Sequence, residues 1–456
     1  MCIRQPLSHQ LQQHHSQHKA APFRLARSRS ATAVVVRCQQ QQMTNKGFSM
    51  LEWTSKLVPQ GALVTGAKAG WRLAWETMVR ELAPQDSGGG YTRPANAFNE
   101  RIGSPRFPVE SGRYHLYVGN ACPWCRHVLL ALELSGPDRS ITLSEPHSPQ
   151  RPQPGPCPPP AALRCHRVLL ALVFSGLDSH ISVGWLADVP EQATRGGWVF
   201  QPRPDPVTGA RDLWAVYDKL SPGYRGRCTA PLLIDKKAMR PVSNESSDIV
   251  RMLGQLQLPG TSGVDLYPPH LQQQIDQLND QVYRCINNGV YRAGFATSQA
   301  AYDAAVGEVH GLMAALDQQL GQSRCLLGDR FTEADLRLFP TIIRFDAAYA
   351  GLFRCGRRRV CDYPNLQAWL RDVWQIRMPG GSMQVPDTVD VDGCRRSYYS
   401  SLFPLNPSGI IPSGPTAADL QLDLPTGRGS HEPANMFFMT AAAAGAAATA
   451  GAQAAA

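Results

Sequence analysis

A pair of cysteines stands where a predicted strand passes into a predicted helix. The run Tyr114–Val118 is short, β-rich and alternating, and Val128–Leu134 is strongly helix-forming before a Gly-Pro pair stops it. Cys122 and Cys125, in the sequence Cys-Pro-Trp-Cys, lie between them. Unpaired N–H groups and the positive end of the helix dipole at such a junction favour thiolate over thiol. The pattern therefore predicts a strand–cysteine–helix unit with Cys122 as a nucleophile.

The sequence of the predicted helix after Cys122 occurs twice in the chain. Residues 125–142 and 165–182 are identical at ten of 18 positions, and the intervening residues 144–160 are too rich in proline for regular structure. Residues 125–164 therefore resemble an insertion inside one strand–helix–strand unit, and exon duplication, a retained intron and an error in the gene model are alternative origins. We expect the first copy to form the helix at Cys122 and the second copy to be displaced or loosely packed.

The net charge of +9 comes mainly from the N-terminus. Residues 1–46 contain seven Lys or Arg and no acidic residue, so the rest of the chain is close to neutral. No basic stripe interleaved with aromatic residues follows, which argues against a nucleic-acid partner. The leader is rich in Arg, Ser, Ala and Gln, which is typical of an organellar transit peptide, with processing near Cys38. We expect a chloroplast stromal protein, with the cytoplasm as the alternative.

Other compositional features argue against a membrane, a disulfide framework and a metal. No run of about 18 strongly apolar residues is present. The 12 cysteines are spread without a paired framework, which argues against disulfide bonds. Most of the cysteines outside the Cys-Pro-Trp-Cys motif have apolar neighbours in the sequence, and we expect them to be small buried residues. The clustered histidines fall inside the disordered leader, so no metal site is expected there.

The first half of the remaining chain predicts an α/β domain. Residues 47–110 are loop-rich, and we expect them to wrap the fold as an N-terminal extension. Residues 111–258 alternate strand-like and helical segments, including a strand entered at Pro231 and a helix whose capping run contains Ser246. Strand, cysteine, helix, proline-entered strand and capped helix together indicate a thioredoxin-like domain.

The second half predicts an all-α domain. Residues 265–400 carry apolar residues at helical spacing, and Thr332 and Asp335 have the spacing of a helix capping box. The Asp335 carboxylate is therefore interpreted as structural. Residues 401–456 form a C-terminal extension that ends in a low-complexity, alanine-rich tail.

With these features in place, the chain resembles the glutathionyl-hydroquinone reductases, the Xi class of the glutathione transferases. The resemblance runs from about Phe98 to Pro415. Its specific stretches are GRYHLYV at 112–118, NESSDIVRML at 244–253, INNGVYRAGFA at 286–296, TEADLRLFPTIIRFDAAY at 332–349, DYPNL at 362–366 and GIIPSGP at 409–415. It implies an α/β thioredoxin-like N-terminal domain followed by an all-α glutathione-transferase C-terminal domain.

The family pattern at the nucleophile is CPWAHR, which the chain matches at Cys122. Cys125 replaces the alanine, and Arg126-His127 reverses the His-Arg order that the second copy restores as His166-Arg167. Joining residue 124 to residue 165 would give CPWCHR, which fits the family better than either copy alone. As the second cysteine of a C-x-x-C motif, Cys125 could resolve a mixed disulfide. The family manages without such a cysteine, so this role stays an alternative.

The resemblance implies reductive removal of glutathione from S-glutathionyl-hydroquinones. Cys122 would form a mixed disulfide with the glutathione of the adduct, and a second glutathione would release it as oxidised glutathione. Glutathione is thus the expected co-substrate, with no metal. Small quinol–glutathione conjugates are the expected partners, and a homodimer is the expected assembly.

The resemblance also implies a glutathione site. Ala230, before a cis Pro231, would offer its backbone to the cysteinyl part of glutathione. Glu245 and Ser246 would bind the γ-glutamyl amine and carboxylate at a helix N-terminus. Trp198 matches a tryptophan that contacts glutathione in the family. Helix capping by the serine and core packing of the tryptophan are the alternatives.

The quinol pocket is expected to be lined by phenols. Tyr291 and Tyr398 match tyrosines of the family's pocket, with Tyr349 as a further candidate, and phenol hydroxyls can orient the hydroquinone by hydrogen bonds. The alternative is that all three are ordinary core tyrosines.

Two other functions remain open. A glutathione-dependent thioltransferase or dehydroascorbate reductase would use the same Cys122 but would act on small disulfides more strongly than on quinol adducts. A non-catalytic glutathione- or quinol-binding protein would result if residues 125–164 distorted the site.

Overall fold

The fold is described from a computed structural model of the chain. The described residues are 60–82, 98–119, 163–188, 192–195, 197–378, 383–402, 405–429 and 433–440. The expected transit peptide, the first helix copy and the alanine-rich tail lie outside them. The chain divides into units of residues 1–64 and 65–456, and the described part of the first unit is the beginning of one helix.

The N-terminal extension contains a long helix, α1, over Gln60–Leu82. Trp71 and Leu73 are exposed, and Trp75 is half-buried against the core. The prediction that residues 47–110 are loop-rich is therefore wrong for this segment. The expectation that residues 47–110 wrap the fold rather than form a core stays a prediction.

A five-stranded mixed sheet organises the first domain, with strand order β3-β2-β1-β4-β5. β1 pairs in parallel with β2 and antiparallel with β4, and both outer pairs, β2 with β3 and β4 with β5, are antiparallel. The strands are β1 Tyr114–Gly119, β2 Ser182–Asp188, β3 Trp198–Val199, β4 Leu232–Asp235 and β5 Arg240–Ser243.

Among the described residues, three helices complete this domain. They are α2 Leu163–Ser175, α3 Leu213–Leu220 and α4 Ser246–Gln255. The parallel β1–α2–β2 unit and the following antiparallel β4–β5 hairpin with α4 are the thioredoxin-like arrangement expected from the sequence. α2 packs against α4 and against the second domain, so it is covered on both sides.

The second domain is helical, as its periodicity predicts. Its α-helices are α5 Gln272–Gln281, α6 Gly289–Gly294, α7 Gln299–Leu320, α8 Glu333–Arg344, α9 Pro364–Trp374 and α10 Val391–Ser401. Wider π turns at Val282–Asn287 and Phe345–Tyr349 join neighbouring helices, and short helical turns lie at Pro269–Leu271, Ala350–Leu352, Val360–Asp362 and Val385–Thr388.

The capping box at the start of α8 is confirmed. Asp335 Oδ2 accepts from the backbone N–H of Thr332 at 3.0 Å, and Oδ1 accepts from Leu326 N and Trp369 Nε1. Burial raises the pKa of Asp335 to about 6, so the carboxylate is ionised at neutral pH and faces N–H donors. The residue has the structural role expected from the sequence.

The C-terminal extension packs back on the helical domain. Gln367 Nε2 donates to the carbonyl of Leu420 at 2.9 Å, and Arg371 Nε donates to that of Gln421 at 2.8 Å. A short turn at Ala418–Leu420, a helical turn at Pro433–Met436 and β7 Phe438–Met439 follow, and β7 pairs with β6 Val264–Asp265. Within the described ranges, no helix is both long enough and apolar enough to cross a membrane.

Candidate active site

The second copy of the duplicated sequence forms the helix in the core. α2 begins at Leu163, and the side chains from Cys165 to Phe174 are buried. The prediction that the first copy takes this place and the second is displaced is wrong. Cys122 and Cys125 lie outside the described residues, so their roles stay predictions.

Cys165 lies against the end of β1. The backbone N–H of Gly119 donates to its Sγ at 3.2 Å, and the side chain is fully buried. Burial raises the pKa of the Cys165 thiol to about 12. This cysteine is therefore a protonated thiol at neutral pH, and its surroundings are those of a structural residue.

His166 ties the first turn of α2 to the helical domain. Its Nδ1 lies 2.8 Å from Arg344 Nη1, and its Nε2 lies 2.8 Å from Thr388 Oγ1. The guanidinium can only donate, and the threonine hydroxyl donates to the carbonyl of Val385 at 2.5 Å. The imidazole therefore accepts at Nδ1 and carries its proton on Nε2. Burial and the neighbouring Arg344 lower the pKa of His166 well below its usual value, so the ring is neutral.

Arg167 ties the same turn to a second point in the helical domain. Its Nη2 donates to the side-chain carbonyl of Asn287 and to the backbone carbonyl of Arg337, the latter at 3.2 Å. Asn287 Nδ2 in turn donates to Thr341 Oγ1 at 2.7 Å. The long side chain of Arg167 thus places its guanidinium in a polar site between two helical segments.

The order of these two residues explains why the second copy occupies the core. The first copy carries Arg126-His127 at the equivalent positions. In the same register, Arg126 would face the buried guanidinium of Arg344, and His127 would be too short to reach Asn287. A buried like-charge contact and two lost hydrogen bonds both disfavour docking of the first copy.

The residues expected to bind glutathione lie along one edge of the sheet. Tyr117 of β1 pairs with Leu232 of β4 in antiparallel register, so Gly119 is level with Ala230. The Ala230–Pro231 peptide bond is cis, as predicted, and both residues are buried. The structure therefore brings the proline-entered strand beside the end of β1, where the helix carrying Cys165 also begins.

Trp198 lies at the same edge, on the short outer strand β3. Its side chain is buried, and a Cβ added to Gly119 would overlap its indole ring. Glycine at position 119 is therefore needed for the close approach of the tryptophan. This packing fits both the predicted glutathione contact and the alternative of core packing.

Glu245 and Ser246 begin α4 at the same edge. Glu245 is the N-cap residue, and its Oε1 accepts from the backbone N–H of Ser247 at 3.2 Å and from the hydroxyl of Ser246 at 3.3 Å. The cap is thus supplied by the glutamate rather than by Ser246, which is the first residue of the helix. A helix N-terminus with N–H groups and a hydroxyl is a suitable place for the carboxylate of a γ-glutamyl group.

The three predicted quinol-pocket tyrosines form one cluster. The hydroxyl of Tyr398 lies 2.6 Å from that of Tyr291 and 2.9 Å from that of Tyr349. All three are buried, and the ring of Phe353 packs against each of them. The sequence separations are 107 and 49 residues, so only the fold brings these hydroxyls together.

Arg344 is a site residue that the sequence did not predict. It is completely buried at the end of α8, and its guanidinium contacts His166 and acts electrostatically on Tyr349 and Tyr398. The available signal was a lone arginine inside the apolar run Thr-Ile-Ile-Arg-Phe. Within the described part of the chain, no group of three or more His, Cys, Asp and Glu side chains is arranged to hold a metal ion.

Comparison with known proteins identifies the family. The family model for the C-terminal domain of glutathione S-transferase matches residues 299–372. Glutathionyl-hydroquinone reductase YqjG of Escherichia coli K12 is 38% identical over 378 residues, which cover 81% of this chain and 98% of the relative. Glutathionyl-hydroquinone reductase PcpF of Sphingobium chlorophenolicum is 36% identical over 78% of this chain and 96% of the relative.

Solved structures give the same result. The glutathione-bound structure of YqjG matches with a TM-score of 0.58 and 37% identity, covering 73% of this chain and 96% of that chain. The Xi glutathione transferase of Phanerochaete chrysosporium matches with a TM-score of 0.58 and 33% identity, covering 75% and 96%. This chain belongs to the glutathionyl-hydroquinone reductases, the Xi class of the glutathione transferases.

Proposed function

We propose that this protein removes glutathione reductively from S-glutathionyl-hydroquinones, with Cys122 as the nucleophile and glutathione as co-substrate. One observation carries the proposal, namely that the first turn of α2 touches both halves of the site. Cys165 contacts Gly119 at the sheet edge, and His166 contacts Arg344 beside the tyrosine cluster. Glutathione at the edge and a hydroquinone at the phenols would then meet at this turn.

The chemistry can be written so that atoms and electrons balance. The adduct first tautomerises, so that one ring hydroxyl gives up its proton and the ring carbon that bears sulfur gains one. The Cys122 thiolate then attacks the glutathione sulfur, an S–S bond forms, and the C–S bond breaks. The electron pair of that bond restores the aromatic ring as a hydroquinone oxyanion, which takes up a proton. A second glutathione thiolate attacks the mixed disulfide and releases oxidised glutathione and the Cys122 thiolate.

The residues at the sheet edge supply recognition of glutathione. Ala230 offers its backbone N–H and C=O to the cysteinyl part, beside Pro231. Ser246 and the N-terminus of α4 hold the γ-glutamyl carboxylate, and Glu245 pairs with the γ-glutamyl amine. Trp198 covers the glutathione from the outer strand.

Cys122 is tethered close to this site by chain length alone. It follows Gly119 by three residues, and three residues span at most about 11 Å. A cysteine in reach of the sheet edge can attack a bound glutathione even though the helix in the core is the second copy. Cys125 keeps the alternative role of resolving the mixed disulfide intramolecularly, in competition with the second glutathione.

A second candidate function has one observation in its favour. Ala162 precedes Cys165 of the docked helix by three positions, where Cys122 precedes Cys125 in the first copy. The docked copy therefore lacks a cysteine at the nucleophile position, as a non-catalytic glutathione- or quinol-binding protein would.

Turnover of glutathionyl-menadiol tests the proposal. The wild type should reduce it, Cys122→Ser should abolish turnover, and deletion of residues 125–164 should retain or increase it because Cys122 then precedes Cys165 by three positions. Turnover of a small glutathione mixed disulfide but not of the quinol adduct would indicate a thioltransferase or dehydroascorbate reductase. Glutathione binding without turnover of either substrate would indicate the non-catalytic function.

The assembly and location are further parts of the proposal. We propose a homodimer, on the grounds of the family resemblance, and a chloroplast stromal location, on the grounds of the acid-free, Arg- and Ser-rich residues 1–46. Sedimentation equilibrium tests the first, and import of a fusion of residues 1–46 to a fluorescent protein tests the second. A monomer at all concentrations, or a fusion that stays in the cytoplasm, would contradict them.

A further inference from the structure

Arg344 occupies a position between the two halves of the candidate site. It is the last residue of α8 and is completely buried. Its Nη1 donates to His166 Nδ1 at 2.8 Å and to the carbonyl of Pro340, one turn earlier in the same helix, at 2.9 Å. Burial of a guanidinium is costly, because the charge loses its hydration.

The contact with His166 holds the guanidinium in place without neutralising it. The imidazole is neutral, and Thr388 holds its proton on Nε2, so Nδ1 is always available as an acceptor. A charged imidazole could not accept from a guanidinium. Hydrogen bonds therefore run in one direction, from Arg344 to His166 and from His166 to Thr388. The positive charge remains on Arg344.

The guanidinium also acts on groups in and beside the tyrosine cluster. The guanidinium of Arg344 interacts electrostatically with the thiol of Cys394, which lies four residues before Tyr398 in α10 and so on the same helix face. Tyr349 ends the π turn that begins directly after Arg344. Burial raises the pKa of the Cys394 thiol, so this partner is uncharged at neutral pH.

The phenol hydroxyls on which this charge acts belong to one hydrogen-bonded cluster with Tyr398 at its centre. Tyr398 is hydrogen-bonded to both Tyr291 and Tyr349. A hydroxyl that accepts from other phenols and lies beside a buried cation is a stronger donor towards a third partner, because the cation stabilises negative charge that develops on it. Such a donor suits an oxyanion.

We propose that Arg344 is a positioning residue that holds a positive charge behind Tyr349 and Tyr398, so that the one hydroxyl proton not used between the three phenols stabilises the hydroquinone oxyanion as it leaves. The inference rests on the proposed function. The relevant step is cleavage of the C–S bond, in which the bond's electron pair enters the ring and negative charge appears on a ring oxygen. Arg344 itself does not touch the substrate.

Two substrates separate this role from a structural one. Reduction of glutathionyl-menadiol produces an oxyanion at the tyrosines, whereas reduction of the mixed disulfide of glutathione and 2-mercaptoethanol releases a small thiolate that needs no phenol pocket. Arg344→Gln should lower kcat for the quinol adduct about 10- to 100-fold, less than the loss of a donor in direct contact. KM and the disulfide turnover should change less than about threefold, and Arg344→Lys should restore part of kcat.

His166 offers a matched pair of variants. His166→Gln retains an acceptor for Arg344 and a donor for Thr388, and its kcat on the quinol adduct should stay within about fivefold of the wild type. His166→Leu removes both and should approach Arg344→Gln. An equal loss on both substrates in the arginine variant, or no loss on the quinol adduct, would overturn the inference.

A binding measurement keeps the inference testable apart from turnover. The absorbance of bound 4-nitrophenol reports whether the ligand is phenol or phenolate. The wild type should lower the apparent pKa of this ligand relative to Arg344→Gln, and Arg344→Lys should lie between them. Identical titrations for all three proteins would refute the role of Arg344. If the wild type fails to turn over glutathionyl-menadiol, the proposed function fails, and the titration still decides the charge effect.

Discussion

Exchanging two neighbouring residues should move the duplicated helix out of the core. The change is His166→Arg with Arg167→His, which gives the second copy the residue order of the first. The arginine introduced at position 166 would place a second guanidinium against Arg344, where His166 Nδ1 now lies at 2.8 Å. The shorter imidazole at position 167 would no longer reach Asn287 or the carbonyl of Arg337, which Arg167 now contacts.

The magnitude follows from these contacts. Two guanidinium groups about 5 Å apart, at an effective dielectric constant of about 20, repel by about 3 kcal/mol. Loss of the charge-assisted hydrogen bonds at position 167 costs about 2 kcal/mol more. The sum of about 5 kcal/mol is comparable with the whole free energy of unfolding of a small domain. Docking of the second copy should therefore weaken by a factor of about 10³ to 10⁴.

Alkylation of cysteines, followed by mass spectrometry, measures the docking. Cys165 is buried in the wild type and should react slowly, whereas the exposed Cys361 should react quickly in every variant and serves as an internal standard. In the exchanged variant, alkylation at position 165 should accelerate by at least about 100-fold, because the helix no longer stays docked. Slow alkylation of Cys165 together with an unchanged melting temperature would refute the argument from residue order.

The opposite exchange provides the matched control. Arg126→His with His127→Arg gives the first copy the favourable order and leaves the second copy unchanged. The two copies should then compete for the same site, and Cys165 should become partly reactive. With both exchanges combined, the first copy should dock in the core in place of the second. Cys122 would then lie at the start of the docked helix, and the rate of glutathionyl-menadiol turnover should increase.

Three further predictions concern other parts of the fold. Gly119→Ala places a methyl group against the Trp198 ring and should cost about 1–3 kcal/mol in stability and weaken glutathione binding, measured by urea unfolding and calorimetry. Asp335→Asn turns an NH₂ group towards buried donors and should lower the free energy of unfolding by about 3 kcal/mol, measured by urea unfolding. Burial lowers the pKa of His115 to about 4, so its contribution to stability is present above about pH 6.5 and declines as the pH falls towards 4, by about 2 kcal/mol at pH 5. Burial of His166 acts in the same direction, and the raised pKa of Asp335 acts in the opposite direction. The difference between the wild type and His115→Gln in urea unfolding from pH 7 to pH 4.5 therefore measures the contribution of His115.

Each of these has a control. Gly254→Ala, at a helix position where a Cβ meets nothing within 4 Å, should leave stability unchanged or slightly raised. Asp362→Asn changes a carboxylate at an exposed turn and should cost less than about 1 kcal/mol. His115→Gln should reduce the decline of stability between pH 6.5 and pH 5. Equal losses in test and control variants, or a pH dependence that His115→Gln leaves intact, would contradict the reasoning.

Local sequence determined the elements that border the site. The alternating run at Tyr114–Val118 predicted β1, and the Thr332 and Asp335 spacing predicted the capping box that begins α8. Both depend on interactions between residues that are close in the chain. The resemblance supplied the cis proline at Pro231 and the three tyrosines, but not their mutual contacts, because Tyr291 and Tyr398 meet only through the fold.

Tertiary structure decided which copy of the duplicated helix packs in the core. Both copies contain the sequence Val-Leu-Leu-Ala-Leu, so helix propensity and apolar pattern do not distinguish them. The difference lies in His166 and Arg167, whose partners are up to 222 residues away in the chain, in a polar site that exists only once the helical domain has formed. Sequence alone thus determined that a cysteine-bearing helix follows β1, and the buried charge of Arg344 determined which helix it is.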